Sequence, residues 1–449
     1  MSKVVRIANG QGFWGDSVDA PVDLIEGGPI DYLTLDYLAE VTLSIMQRQK
    51  LKNPNSGYAR DFIELIDRVL PDLVSKNIKV ISNAGGVNPE SCRDALLEIA
   101  KSKGIDIKIG IINGDNIYEN LDEFIDSGVN FKNLETGAEF ATIKDKVYSA
   151  NVYIDSFSIS RALDEGAQIV LAGRVSDPGL ALGPAIHEFG WKSKQIDLIA
   201  AGTLAGHITE CGAQCTGGNY SRWDEVPDLE NIGYPIIEIH ENGEFLITKH
   251  DGTGGLVNRY TVSEQILYEM GDPECYISPD VCVDFTSFKL NDLGDNKVKI
   301  SGVRGKEPTS TYKVSISYFA GYKASGQLTI SGPNAYDKAK LVAKLIWSRL
   351  EKAGCIYEDK LTEFLGLSSC HGEITATPDQ VNEVVLRLSV KDNNKDKVNR
   401  FGKEIAPVIT NGPPGVTGFA GGRPKAQEII AYWPALIPKD LIMTEVDVN

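Results

Sequence analysis

The sequence predicts an α/β protein. Its N-terminal part reads as a mostly parallel sheet flanked by helices. An α+β part follows, for which a ferredoxin-like pattern is one arrangement. Three observations carry this reading. Short apolar runs alternate with longer helical patterns through the first half. Those runs are continuously apolar, as strands covered on both faces are. After about residue 225 the pattern turns to strands in hairpins or a meander.

In order, Val4–Ala8 reads as a strand followed by the loop Asn9–Ser17, and Tyr32–Leu35 as a second strand. Leu38–Arg48 and Tyr58–Leu73 have helical apolar spacing. Ile78–Ser82 is a strand ending in Asn83-Ala84-Gly85-Gly86, and Pro89–Lys103 a helix. Ile107–Ile112, Val147–Ile154 and Ile169–Ala172 complete the strands of the first half, the last ending in Gly173-Arg174. Later strands are expected at Ile236–Ile239, Phe245–Thr248, Val281–Phe285, Lys297–Val303, Tyr312–Phe319, Tyr322–Ile330 and Val381–Val390. Glu241-Asn242-Gly243-Glu244 reads as a hairpin turn. Ala335–Leu350 and Lys395–Ala406 read as helices. The change of character places a soft boundary near 275, giving parts 1–275 and 276–449.

Composition narrows the function class. A net charge of −17 disfavours a nucleic-acid binder, whose footprint is basic. No apolar run approaches the roughly 18–20 residues of a membrane span. The N-terminus lacks the apolar stretch of a signal peptide. Seven scattered cysteines fit a reducing compartment. These features point to a cytoplasmic protein with no nucleic-acid or membrane partner. Glycine is the outlier, at 44 residues. In open parallel sheets, ligands sit beyond the carboxyl ends of strands. The loops Asn9–Ser17, Asn83–Asn88, Asn113–Asn116 and Gly173–Gly179 would share that edge, so a pocket is expected there.

Asp197 to Cys215 has helical spacing, with Ile199, Leu204, Ile208, Cys211 and Cys215 as an apolar stripe. At about 100° per residue, Thr203, His207, Glu210 and Gln214 fall within roughly 60° of one another. Such a stripe suits a cleft wall, and Thr216-Gly217-Gly218 would end the helix. A carboxylate one turn from an imidazole can orient it for general acid–base work, so His207 and Glu210 are the candidate catalytic pair. A plain helix-surface pair, a metal site of His207, Glu210 and Cys211, and a nucleophilic Cys211 are the alternatives. The pattern lacks a paired metal-binding motif. No metal and no cofactor are expected.

Four glycine-rich loops could cradle an anion with backbone N–H groups. The first presents Gly12, Phe13 and Trp14 and lacks a full dinucleotide fingerprint. The second holds Arg174, which could bind a carboxylate, and Asp177, a candidate helix cap. The third includes Gly254 and Gly255, ahead of the capping box Thr261-Val262-Ser263-Glu264. The fourth, Gly412–Arg423, packs five glycines into eleven residues, as a ligand loop or a subunit contact. Together these expectations name Gly12, Phe13, Trp14, Asn83, Gly85, Gly86, Arg174, Asp177, Thr203, Gln214, Gly217, Gly218, Gly254, Gly255 and Arg423 as substrate-binding candidates.

These motifs carry a resemblance. The Gly-x-Gly-Phe-Trp-Gly-Asp run, Asn83-Ala84-Gly85-Gly86, Gly173-Arg174-x-x-Asp177 and Gly206-His207-x-x-Glu210-Cys211-Gly212 are similar to those of the acyclic terpene utilisation (AtuA-like) family. So are Gly252-Thr253-Gly254-Gly255, Glu264-Gln265-x-Leu267-Tyr268-Glu269 and Pro279-Asp280-Val281. The resemblance implies a setting in the catabolism of branched acyclic acids handled as acyl-CoA thioesters. With the His207–Glu210 pair it gives the expectation of a lyase or hydratase acting on a branched carboxylic acid or its CoA thioester. The alternative is a non-catalytic subunit or binding protein of a catabolic complex. A homo-oligomer is the expectation for an enzyme of this kind.

Overall fold

The computed structural model describes residues 3–374, 380–418 and 421–449. The fold is mixed α/β, with helices and several sheets. The chain forms two compact units, Met1–Ser317 with Tyr432–Asn449, and Tyr318–Ala431. The soft boundary placed near 275 falls inside the first of them.

The strands of the first half are β1 (Val4–Gln11), β2 (Tyr32–Leu35), β3 (Lys79–Ser82), β4 (Ile109–Asn113), β5 (Val147–Val152) and β6 (Ile169–Leu171). They are followed by β7 (Ile236–His240), β8 (Phe245–Thr248), β9 (Tyr276–Ile277), β10 (Cys282–Asp284), β11 (Lys289–Gly294), β12 (Lys297–Ser301) and β13 (Arg304–Lys306). The remaining strands are β14 (Thr311–Ser331), β15 (Asp359–Leu365), β16 (Glu383–Asp392), β17 (Gln427–Pro438) and β18 (Glu445–Val448).

The main sheet of the first unit has ten strands, in the order β11-β12-β8-β7-β1-β2-β3-β6-β4-β18. Its centre, β1-β2-β3-β6-β4, is parallel. Both flanks are antiparallel. The expectation of a mostly parallel sheet is therefore corrected to a mixed one. Parallel neighbours need long crossovers, which the helices between the first-half strands supply. By contrast, β7–β8 and β11–β12 are antiparallel pairs closed by tight turns, and β7, β12 and β18 join β1, β8 and β4 from far along the chain. The hairpin at Glu241–Glu244 joins β7 to β8 as expected, with Gly243 at φ 80. The run at Val147–Val152 leaves this sheet and pairs with β14. The two runs expected at 312–319 and 322–330 are one strand, β14.

The central strands are buried on both faces. All four residues of β2 are inaccessible, and Leu33, Leu35, Val80 and Leu171 lie in one core. The Arg60–Ser75 helix joins that core through Phe62, Leu65, Ile66, Val69, Leu70 and Leu73. Their three- and four-residue spacing puts them on one face. In the second unit, strands and helices run β14, helix Ala335–Lys352, β15, β16, helix Lys395–Ile405, β17. Its sheet has the order β15-β16-β14-β17.

Helix Ile196–Thr209 has no exposed face over its last three turns: every residue from Ile199 to Thr209 is buried. Ala200, Ala201, Gly202, Ala205 and Gly206 are small enough for neighbours to close in all round. Its polar side chains must then find partners inside the protein. Thr203 donates to the Ile199 carbonyl at 2.9 Å, and Thr209 to the Ala205 carbonyl at 3.1 Å. His207 has its own partners, described below.

Candidate functional site

The carboxyl ends of three parallel strands, β1, β2 and β6, converge on one cavity of about 580 Å³. The end of β1 supplies Gly12, Phe13 and Trp14, the end of β2 supplies Asp36, Leu38 and Glu40, and the end of β6 supplies Arg174 and Asp177. Glu210, Cys211 and Gln214 come from the end of the buried helix, and Tyr268 and Glu269 from the segment after helix Arg259–Leu267. This is the edge where ligands bind in open α/β sheets.

The buried helix ends at Thr209 rather than near Cys215. Gly212 takes a left-handed φ of 58, and a short 3₁₀ turn, Gly212–Thr216, follows. Glu210 keeps helical backbone at the end of that helix and reaches the cavity lining, the break carries Gln214 there, and Thr203 and His207 stay in the interior. Gly12 sits hard against the same break. A Cβ there would stand 2.7 Å from the Cys211 carbonyl carbon and 2.9 Å from its Cα. No larger residue permits that approach without a shift. The Gly12 N–H donates to Asp16 Oδ2 at 3.0 Å, and the Tyr234 hydroxyl donates to Asp16 Oδ1 at 2.6 Å. The first glycine loop is thus braced internally, with its Gly12 donor already occupied.

Arg174 is 2% exposed, the largest of the fully buried side chains. Its Nη1 donates to Asp177 Oδ1 at 2.6 Å and to the Val175 carbonyl at 3.2 Å. Its guanidinium lies 4.1 Å from the centre of the Tyr153 ring. Its backbone N–H donates to the buried Asp115 Oδ2 at 2.9 Å. Its Nε has no partner among the described residues.

The remaining charged groups of the wall are carboxyls. Asp36 Oδ1 accepts from Asn83 Nδ2 at 2.8 Å and from the Leu38 N–H at 3.0 Å. Burial, with the negative charge of Asp177, pushes Asp36 up to about 8, against the opposing pull of Arg174 and Asn83. Glu40 accepts from the Tyr153 hydroxyl at 2.6 Å. Burial alone would raise it, but that bond and nearby cations hold it below the usual carboxylate range. Glu210 Oε1 stands 3.0 Å from His207 Nδ1, and Glu210 Oε2 is buried with no partner among the described residues. Burial pushes Glu210 up to about 7 despite His207.

His207 is 1% exposed and lies behind Glu210, outside the cavity lining. Its ring packs against Tyr276 and Phe285, with centroids 5.0 and 5.3 Å away. Its Nε2 is 3.3 Å from the Ile266 carbonyl. Burial lowers its basicity, but the Glu210 charge and hydrogen bond outweigh that and hold it above the ordinary histidine value. Burial pushes the Cys211 thiol up to about 12. It is therefore a thiol at neutral pH, unlike a primed nucleophile. Among the described residues no three His, Cys, Asp or Glu side chains are grouped to hold a metal ion.

A family model described as acyclic terpene utilisation family protein AtuA matches residues 5–448. The chain belongs to that family. No curated protein and no solved structure matches it. Among the described residues of this AtuA-family chain, no helix is long and apolar enough to cross a membrane.

Of the residues expected in the site, Gly12, Phe13, Trp14, Arg174, Asp177, Glu210 and Gln214 line the cavity. Asn83 stands behind it, holding Asp36 and accepting from the Tyr37 N–H at 2.7 Å. Gly85 and Gly86 shape the turn after β3, and Gly86 borders a separate cavity with Asn113 and Asn116. Thr203 is spent within its helix. Gly217, Gly218, Gly254 and Gly255 shape packed turns; the Gly217 Cβ position, for example, is taken up by Val226. Arg423 is exposed in the second unit, and Phe419 and Ala420 of its loop lie outside the described residues. Asp36, Glu40 and Glu269 were missed. Asp36 had a signal available, as the first residue past a predicted parallel strand.

A second cavity of about 230 Å³ shares Glu40, Asp177 and Glu269 with the first. Tyr153, Tyr276, Tyr312, Ser278, Thr311 and Lys313 are among its other lining residues.

Proposed function

We propose that this chain is a lyase of the hydratase type. Its substrate would be a branched carboxylic acid presented as a thioester. Glu210 exchanges the substrate proton, and His207, which lies behind it, is a positioning residue. The observation that carries this reading is the half-anchored Glu210. One oxygen is held by His207, and the other is buried without a partner among the described residues, on a residue that lines the cavity. A carboxyl held near 7 can both give and take a proton at neutral pH.

The wall charges favour the thioester over the free acid. Asp36, Glu40, Asp177, Glu210 and Glu269 surround a single guanidinium already paired with Asp177. A carboxylate entering there finds the lining guanidinium already paired and meets the ionised Glu40. A neutral thioester carbonyl brings no such charge, and the Arg174 guanidinium in the wall would favour a developing oxyanion. The family description names acyclic terpenes, whose carbon chains are methyl-branched. The strand and helix order of the second unit supports the ferredoxin-like reading of that part.

The test uses the N-acetylcysteamine thioesters of 3-methylbutanoic and 3-methylbut-2-enoic acids. The wild type should exchange the Cα hydrogen of the first with D₂O and hydrate the second. Glu210→Gln should lose about a hundredfold or more of both activities while remaining folded. Unchanged rates in that variant would sink the assignment. A ligand-induced rise in Tm without turnover or exchange would favour a binding protein instead.

A further inference from the structure

The main cavity holds a second carboxyl built like Glu210. Both described hydrogen bonds to the Asp36 side chain end on Oδ1, one from Asn83 Nδ2 and one from the Leu38 N–H. Oδ2 is left as the oxygen available to the cavity that Asp36 lines. Glu210 likewise has Oε1 held by His207 and Oε2 without a partner. Each carboxyl comes from a different element, one past β2 and the other past the buried helix. Each is backed by a buried polar side chain that lies outside the cavity lining: Asn83 is 0% exposed and His207 1%.

We propose that Asp36 is the second proton-transfer group of the site, serving the oxygen that leaves or enters while Glu210 serves the carbon, and that Asn83 positions it. The proposal rests on the proton-transfer reading of Glu210. Removal of water from a 3-hydroxyacyl thioester needs two protonic groups. The Cα–H bond breaks, its proton goes to ionised Glu210, and its electron pair forms the Cα–Cβ double bond. The Cβ–O bond breaks, and the departing hydroxyl takes the proton of neutral Asp36 and leaves as water. Hydration runs the same steps backwards. The division of labour follows the partners: Glu210 is backed by an imidazole that can share its proton as the carbon gives one up, whereas Asp36 is backed by an amide, and burial raises both carboxyls. Asp177 and Arg174 are the charged groups that act on Asp36 within the wall, and they oppose each other.

The two roles separate in one pair of assays. Exchange of the Cα hydrogen needs Glu210 alone, whereas addition of water to the double bond needs both groups. With the two thioesters above, Asp36→Asn should lose about a hundredfold of hydration and much less of Cα exchange. Asp36→Glu, which retains a displaced carboxyl, should recover part of the hydration and guards against misreading a folding defect. Asn83→Ala removes a bond that favours ionised Asp36, so the alkaline limb of the hydration profile should move to higher pH. A wild type active in both assays with hydration unaffected in Asp36→Asn would overturn this assignment and leave Glu210 standing. A wild type that neither exchanges nor hydrates would overturn both.

Discussion

His207 Nδ1 stands 3.0 Å from Glu210 Oε1 while His207 Nε2 stands 3.3 Å from the Ile266 carbonyl. The carbonyl can only accept, so Nε2 carries a hydrogen. Nδ1 then either donates as part of an imidazolium or accepts from a neutral Glu210 carboxyl. In both forms the pair holds one shared proton and no net charge. A buried pair can persist on those terms, because neither member is left as an isolated charge.

His207→Ala should therefore cost about 2–4 kcal/mol of stability, from the emptied space beside Tyr276 and Phe285 and the lost partner of Glu210. Urea unfolding measures it. A loss below about 0.5 kcal/mol, the usual range for surface changes, would mean the ring is not packed as described.

Stability should fall as pH rises through neutrality. Asp36 is held near 8 in the folded chain, whereas an unfolded aspartate titrates near 3.9. Between these values the native state binds the extra proton, so its contribution is complete below pH 4 and is lost as pH climbs through 8. The slope from one such group is at most about 1.4 kcal/mol per pH unit. Asp280, held up to about 7 chiefly by burial, acts in the same direction. Unfolding free energies of wild type and Asp36→Asn from pH 5 to 9 should draw apart as pH rises, the wild type falling relative to the variant, because the amide stays neutral throughout. Parallel curves would contradict the assignment.

Gly12→Ala should destabilise by about 1–3 kcal/mol, because its new methyl meets Cys211 backbone rather than a yielding side-chain end. Gly271→Ala, where nothing lies within 4 Å of the Cβ position, is the control and should stay within about 0.5 kcal/mol. Thermal melts compare the two. Equal effects would mean that the Gly12 contact does not constrain the loop.

Arg174→Met should cost about 3–5 kcal/mol, since it strips the cation from among Asp177, Asp36 and Tyr153. Arg174→Lys should recover little of this, because an ammonium lacks the planar group that stacks on Tyr153 and bonds Asp177 and Val175 together. Chemical denaturation of the two variants decides it, and full recovery by lysine would show that charge alone matters.

Phe13 is 60% exposed at the cavity lining. Phe13→Ala should leave stability within about 0.5 kcal/mol of wild type. In the hydration assay it should raise KM rather than lower kcat. A destabilised variant would place the ring in the core instead.

Much of the central sheet was legible because each strand is a short apolar run punctuated by Asn or Gly. β2 is found at its expected bounds, Tyr32–Leu35. The short polar strand β11 and the C-terminal strand β18, which lies beside β4, were not legible. They owe their place to partners far along the chain rather than to local pattern. The site was legible in part for the same reason. Glycines and charged residues past strand ends pointed to the right edge, yet helical spacing put Thr203, His207, Glu210 and Gln214 on one stripe. His207 and Glu210 do meet on that stripe, but it runs from the interior to the cavity lining, and Gln214 lies past the turn at Gly212.

The sequence by itself determined the residue types, their local periodicity and the family. Periodicity is a property of neighbours along the chain, so the α/β alternation and the Glu241–Glu244 hairpin follow from it. Only the tertiary structure decided which polar groups share a wall. Asp36 and Glu210 lie 174 positions apart in the chain and line one cavity. Their proton affinities also come from folding, because burial is the leading cause in each case. Desolvation depends on everything packed around a group, and no stretch of sequence records that by itself.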